Sequence, residues 1–137
     1  MKDIGSFRLT ENIEIHFYFR EFEGRLFGHI RKFVNDGPTH QGVMVTKSDS
    51  EQILKVLNSL PQKPAVESEE EILKIKISDG YFIIARLRYT NGKLHFDLRY
   101  YDENETYTGF EKKGVNIPFD KLGEVIYLFE LMIKEWQ

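Results

Sequence analysis

Phe19-Arg20-Glu21-Phe22-Glu23-Gly24-Arg25-Leu26 and Leu87-Arg88-Tyr89-Thr90-Asn91-Gly92-Lys93-Leu94 decide the fold. In each, an alternating run meets a Glu-Gly or Asn-Gly pair and then resumes at once. Asn-Gly is the strongest two-residue hairpin signal, because both central residues of the favoured turn need positive φ. The stretches also overlay each other at a shift of about 68 residues. That shift lays Ile4–Leu9 on Ile72–Ile77 and Ile30-Arg31 on Leu98-Arg99. Past a short insertion the shift becomes about 72, and Gly42-Val43-Met44-Val45 covers Gly114-Val115-Asn116-Ile117. The chain reads as an internal duplication, with a first repeat over 1–60, a linker over 61–70 and a second repeat over 71–137.

Outward from the hairpins, each copy spells four strands and a helix. The strands are expected near 5–10, 14–22, 25–34 and 41–46, then 71–77, 81–89, 93–101 and 113–118. A looser loop joins the third to the fourth. Ser48 with Glu51 spells a capping box at the first helix, and Asp120 stands as N-cap of the second. The first helix carries Ile53, Leu54 and Leu57 and stops before Pro61. In the second, Leu122, Ile126, Phe129, Ile133 and Trp136 recur at helical spacing, widened by Val125, Leu128 and Met132. So wide a stripe calls for cover by the helix's own sheet and by a partner. The fold class is α+β, ββββα twice.

Composition excludes much else. The 137 residues contain no Cys, which removes disulfide scaffolds, thiolate metal sites and a cysteine nucleophile. The four histidines (His16, His29, His40 and His95) lack metal-site spacing, and no phosphate-cradling glycine motif is present. An enzyme, a metal and a cofactor are not expected. No apolar run approaches membrane-spanning length and the amino terminus lacks a leader-like apolar region, so a cytoplasmic protein with no membrane partner is expected. A formal net charge of −3 argues against a strongly basic nucleic-acid binder, yet Glu67, Glu69–Glu71, Asp102, Glu103 and Glu105 hold much of the acid in two patches.

Strand alternation separates two faces. Ile15, Phe17, Phe19, Leu26, Ile30 and Val34 share one side in the first repeat, as Ile83, Ala85, Leu87, Leu94, Phe96 and Leu98 do in the second. The opposite side interleaves rings with charges. It carries His16, Tyr18, Arg20, Phe22, Arg25, Phe27, His29, Arg31 and Phe33, and then Arg86, Arg88, Lys93, His95, Asp97, Arg99 and Tyr101. Cations recur at the equivalent pairs Arg20/Arg88, Arg25/Lys93 and Arg31/Arg99, and a ring recurs at Phe33/Tyr101. Aromatics that stack bases beside cations that meet phosphate compose a surface for unpaired nucleic acid. Tyr18, Phe27, Phe33 and Tyr101 are the candidate stacking rings.

Glu111-Lys112-Lys113-Gly114-Val115-Asn116-Ile117, and more loosely Asp36–Val43, resemble the basic-pair-Gly-aliphatic segment of the transcriptional coactivator positive-cofactor-four family. The two hairpins are similar to that family's Val-Arg-x-Phe-x-Gly-Lys-Val turn. The resemblance covers nearly the whole chain, once per repeat. It implies a non-enzymatic single-stranded-DNA-binding module, with curved antiparallel sheets and helices packed together. Here both halves come from one chain as an intramolecular pseudo-dimer, like the paired repeats of Pur-alpha proteins and related to Whirly domains. By resemblance the strand-binding cations fall on Arg25, Arg31, Lys93, Arg99, Lys112 and Lys113. Arg20 and Arg88 match the arginine before the turn, and Phe22 matches its aromatic. His40-Gln41 stands where the basic pair belongs, and Thr90 and Phe110 depart from the pattern, so unequal repeats are expected.

The expected partner is single-stranded DNA, with RNA left open. The expected assembly is a monomer with an internal pseudo-dimer, or a homodimer by repeat exchange. The alternative is a protein–protein interaction module of the same fold that has lost nucleic-acid binding and docks acidic segments.

Overall fold

A computed structural model describes residues 2–137. The first sheet runs β1 (Lys2–Arg8), β2 (Ile13–Phe22), β3 (Arg25–Val34) and β4 (Gly37–Val45), followed by α1 (Lys47–Ser59). The second runs β5 (Glu69–Ser78), β6 (Tyr81–Thr90), β7 (Lys93–Glu103) and β8 (Thr108–Pro118), followed by a 3-10 turn (Phe119–Lys121) and α2 (Leu122–Glu135). Both sheets are antiparallel meanders with neighbours in chain order. The architecture is ββββα twice.

The hairpins pair Phe22 with Arg25 and Thr90 with Lys93, so each has a two-residue turn. Glu23 and Gly24 lie at φ 51° and 78°, and Asn91 and Gly92 at 52° and 78°. All four positive values belong to the turn whose twist matches that of the strands. The expected looser loop before the fourth strand is present in the second repeat, over 104–107, but in the first it is another tight turn, with Asn35 at φ 50° and Asp36 at 67°. β4 starts at Gly37 and β8 at Thr108, several residues earlier than alternation predicted. Both sheets break register at one equivalent place, between Arg31 and Phe33 and between Arg99 and Tyr101. Opposite stand Gly42 and Gly114. A Cβ would lie 2.7 Å from the Ile30 carbonyl oxygen at the first and 2.1 Å from the Arg99 Cβ at the second. Only glycine fits against either bulge.

The helix starts also differ from expectation. Thr46 caps α1, its hydroxyl accepting from the Asp49 N–H at 3.1 Å while the Asp49 carboxylate accepts from the Thr46 N–H at 3.0 Å. The box thus lies two residues before Ser48 and Glu51. Asp120 caps nothing, because the 3-10 turn takes it up. The Leu122 N–H meets the Phe119 carbonyl, so the entry is tightened by backbone bonding instead.

Each helix packs across to the other repeat. α2 lies on β1 and β2, with Phe129 edge-on to Phe17 at 5.1 Å and Trp136 edge-on to Phe19 at 4.9 Å. α1 lies against α2 and β5 and also touches β3. The helices meet each other, β4 meets β8, and one core runs from Ile15, Phe17 and Ile30 through Ile53 and Leu57 to Phe96, Leu98 and Phe129. Burying this apolar area, at about 25 cal/mol per Å², binds the halves into one body. Among the described residues no helix is long and apolar enough to cross a membrane.

Candidate nucleic-acid interface

The helices cover the aliphatic face of each sheet and leave the ring-and-cation face outward. On the first sheet, cross-strand register sets the rings beside one another. Phe33 stacks on His16 at 3.9 Å and 15°, and Tyr18 stacks on His29 at 4.9 Å and 11°. Tyr18 also meets Phe33 edge-on at 6.4 Å. The Arg31 guanidinium crosses this cluster, donating from Nε to the Tyr18 hydroxyl at 3.1 Å and from Nη1 to the Thr39 carbonyl at 2.9 Å. Arg25 sits over Phe27 at 5.2 Å, Arg20 is exposed, and Phe22 is 56% exposed beside the hairpin.

Tyr18, Arg20, His29, Arg31, Phe33, Pro38, Thr39 and His40 enclose a shallow depression of about 380 Å³ without an acidic wall residue. His29 is 7% exposed and neither ring nitrogen has a partner among the described residues. Burial lowers its pKa to about 4, and the Arg31 and Arg20 charges push the same way. It is therefore neutral at physiological pH. Glu14 lies at the far end, held below the usual range by its bond to His16 and the nearby Arg8, and Asp3 of β1 pairs across from Tyr18 without an ion pair among the described residues. Among the described residues Arg20, Arg25 and Arg31 form no ion pair.

The second sheet fills the same place differently. Asp97, the equivalent of His29, is fully buried. Its carboxylate accepts from Arg86 Nε at 2.9 Å, from Arg99 Nε at 3.0 Å and from Arg99 Nη2 at 3.0 Å. Arg86 also pairs with Glu69 and lies 3.6 Å over the Phe110 ring. Arg99 reaches on from Nη1 to the Glu111 and Lys112 carbonyls at 3.0 and 3.2 Å. Arg86 and Arg99 are thus tied inward. Tyr101 packs edge-on to Phe110 at 4.9 Å, with the Lys74 ammonium 5.5 Å above its ring. Lys93, Lys112 and Lys113 are exposed and Arg88 is half-buried. Burial and the Asp102 carboxyl push the Glu111 pKa up.

No family model and no curated protein matches the chain. The chain is similar to the solved structure of a PC4 homolog from Burkholderia pseudomallei, at 22% identity over 53% of this chain and 100% of the other, with a TM-score of 0.45. It is also similar to WHY3 from Arabidopsis thaliana, at 13% identity over 94% of this chain and 85% of the other, with a TM-score of 0.46. A third similar structure is the plant transcriptional regulator PBF-2, at 11% identity over 94% of this chain and 80% of the other, with a TM-score of 0.44.

Sequence reasoning placed Asp97 on the outer face without seeing its partners. The signal was there. A two-residue turn that pairs Thr90 with Lys93 carries Arg86 opposite Asp97 four pairs down the ladder. Opposite charges at directly facing positions form a cross-strand pair. His29 follows from the first hairpin in the same way, facing Tyr18. Glu69 and Phe110 needed the strand starts that alternation misjudged.

Proposed function

We propose that the protein binds single-stranded nucleic acid without catalysing a reaction, and that the outer face of the first sheet is its principal surface. One observation carries this reading: Arg20, Arg25 and Arg31 stand among Tyr18, Phe22, Phe27 and Phe33 with no ion-paired carboxylate between them. Guanidinium charge positions the phosphate backbone, and the exposed Phe22 with the half-buried Phe27 and Phe33 offer stacking worth about 1–3 kcal/mol per base. Tyr18, only 5% exposed, holds Arg31 in place through its hydroxyl instead of meeting a base. On the second sheet Lys93, Lys112 and Lys113, with Arg88, supply further phosphate contacts along the rim, and Tyr101 supplies a ring. Arg86 and Arg99 act there as positioning residues that hold the face together. The assembly is a single chain whose repeats play the parts of two subunits, and light scattering checks that state.

Fluorescence anisotropy with labelled oligonucleotides tests the function. With about four phosphates neutralised, log K falls against log salt with a slope near −3. Binding absent at low salt, or equally tight for duplex, overturns the reading. An acidic protein segment on the same face is the alternative, and it gains support if a pull-down partner survives nuclease treatment.

A further inference from the structure

The repeats differ again at the end of the first sheet, on its core-facing side, where the sheet meets β8. In the second repeat Tyr100 pairs across the strands with Ile83 and stacks on Tyr81 at 5.1 Å and 9°. Its hydroxyl accepts the Met44 N–H of β4 at 3.0 Å. At shifts of about 68 and 72 residues the equivalents of Tyr81, Tyr100 and Met44 are Ile13, Lys32 and Asn116. Lys32 pairs with Ile15 as Tyr100 pairs with Ile83. An ammonium, however, brings no ring to fill the space and no acceptor for the strand edge. The volume that two tyrosines occupy in one half is open in the other, as a cavity of about 480 Å³.

The cavity wall is chemically specific. Lys32 and Arg99 are its cations; Arg99 is committed to Asp97, whereas Lys32 forms no ion pair among the described residues, and no Asp or Glu lines the cavity. Gln41, Asn91 and Asn116 present three carboxamides, while Ile13 and Pro118 form an apolar flank. The Asn116 amide donates from Nδ2 to the Thr90 hydroxyl at 3.3 Å, and its Oδ1 is buried without a partner. Whichever way that amide is turned, one of its polar atoms lacks a partner among the described residues. Buried polar groups of this kind call for a ligand atom.

We propose that this cavity holds one nucleotide, with its phosphate at the Lys32 ammonium, its base edge on the carboxamides and its base face on Ile13 and Pro118. Carboxamides match base edges in donor and acceptor pattern, lysine serves as a point charge for phosphate, and the volume lies within the roughly 300–1,000 Å³ of small-ligand sites. The same chemistry can come from a free nucleoside monophosphate or from one residue of a strand. Only the strand source rests on the function proposed above.

Amide NMR spectra of the full chain, titrated with deoxynucleoside 5′-monophosphates, inorganic phosphate and a short single strand, test the site. Mononucleotides are expected to move the signals of Lys32, Asn91 and Asn116 with a Kd of about 1 mM or below, at least about tenfold tighter than inorganic phosphate. A response to the strand alone assigns the occupant to the strand. Ile13→Tyr combined with Lys32→Tyr copies the filled half and is expected to weaken binding about tenfold or more. Lys32→Glu does the same by charge with no added bulk. Signals that none of the probes moves, or a filled variant that binds as tightly as the original, overturn the proposal. These variants leave Arg20, Arg25 and Arg31 in place. Strand binding lost at the sheet with the cavity still responsive therefore counts against the sheet surface, and the reverse counts against the cavity.

Discussion

His29 in the first sheet and Asp97 in the second occupy equivalent positions, and the two faces diverge from that pair outward. Asp97 brings a buried negative charge, which draws Arg86 and Arg99 inward and leaves little cation free at the centre. His29 is neutral, so Arg31 is held by a hydroxyl and a carbonyl and keeps its charge uncompensated. A duplicated frame with the same strand order can thus carry one self-neutralised face and one whose arginines stay unpaired among the described residues. The lesson is electrostatic. A count of arginines does not describe a binding surface until the carboxylates among them have been placed.

The comparison can be broken most forcefully at Asp97. Asp97→Asn takes the shared carboxylate from buried Arg86, which keeps only the partly exposed Glu69, and from half-buried Arg99, and urea denaturation is expected to show a loss of up to about 3–5 kcal/mol. A loss below about 1 kcal/mol would mean that the network is peripheral.

Acid is the next lever, because His29 has a folded pKa lowered to about 4 against an ordinary 6.5. The unfolded chain takes up the proton first, so this contribution is intact above about pH 6.5 and lost as pH falls towards 4, amounting to about 3 kcal/mol. Denaturation midpoints measured across that window should fall in the original chain and flatten in His29→Phe.

His29→Asp would install the second repeat's solution in the first. Strand affinity should drop about tenfold, near 1.4 kcal/mol, with the salt slope shallower by about 0.7. Anisotropy that shows no change would place the strand elsewhere.

The smallest contrast lies at the helix starts. Thr46→Ala should cost about 1 kcal/mol in thermal unfolding, whereas Asp120→Ala should cost close to nothing, since it caps no backbone donor.

Much of this molecule was legible because a strand has a period of two. Alternation assigned Ile15, Phe17 and Phe19 to the core and Arg20 and Phe22 to the outside, and two turns with positive φ anchored the register. The start of β4 was hidden because Asn35 and Asp36 make a tight turn with no glycine at their positive-φ positions. The capping box was misplaced because Thr46/Asp49 and Ser48/Glu51 both fit the pattern within one turn. The crossing of the helices could not be read at all, since an apolar stripe fits either sheet equally well. Asp97 was visible as a residue but not as the centre of an ion cluster, which depends on side chains from three strands.

The exchange of helices has a consequence for how the chain is made. The first sheet emerges early from the ribosome, yet its apolar side is sealed by Phe129, Met132 and Trp136, which belong to the last element in chain order. Until those residues are translated, the apolar side that carries Phe17 and Phe19 lacks its cover, and exposed apolar surface of this kind is prone to aggregation. The first sheet therefore cannot complete its core until α2 has been made, and severing the chain between the halves would leave two sticky fragments instead of two working modules.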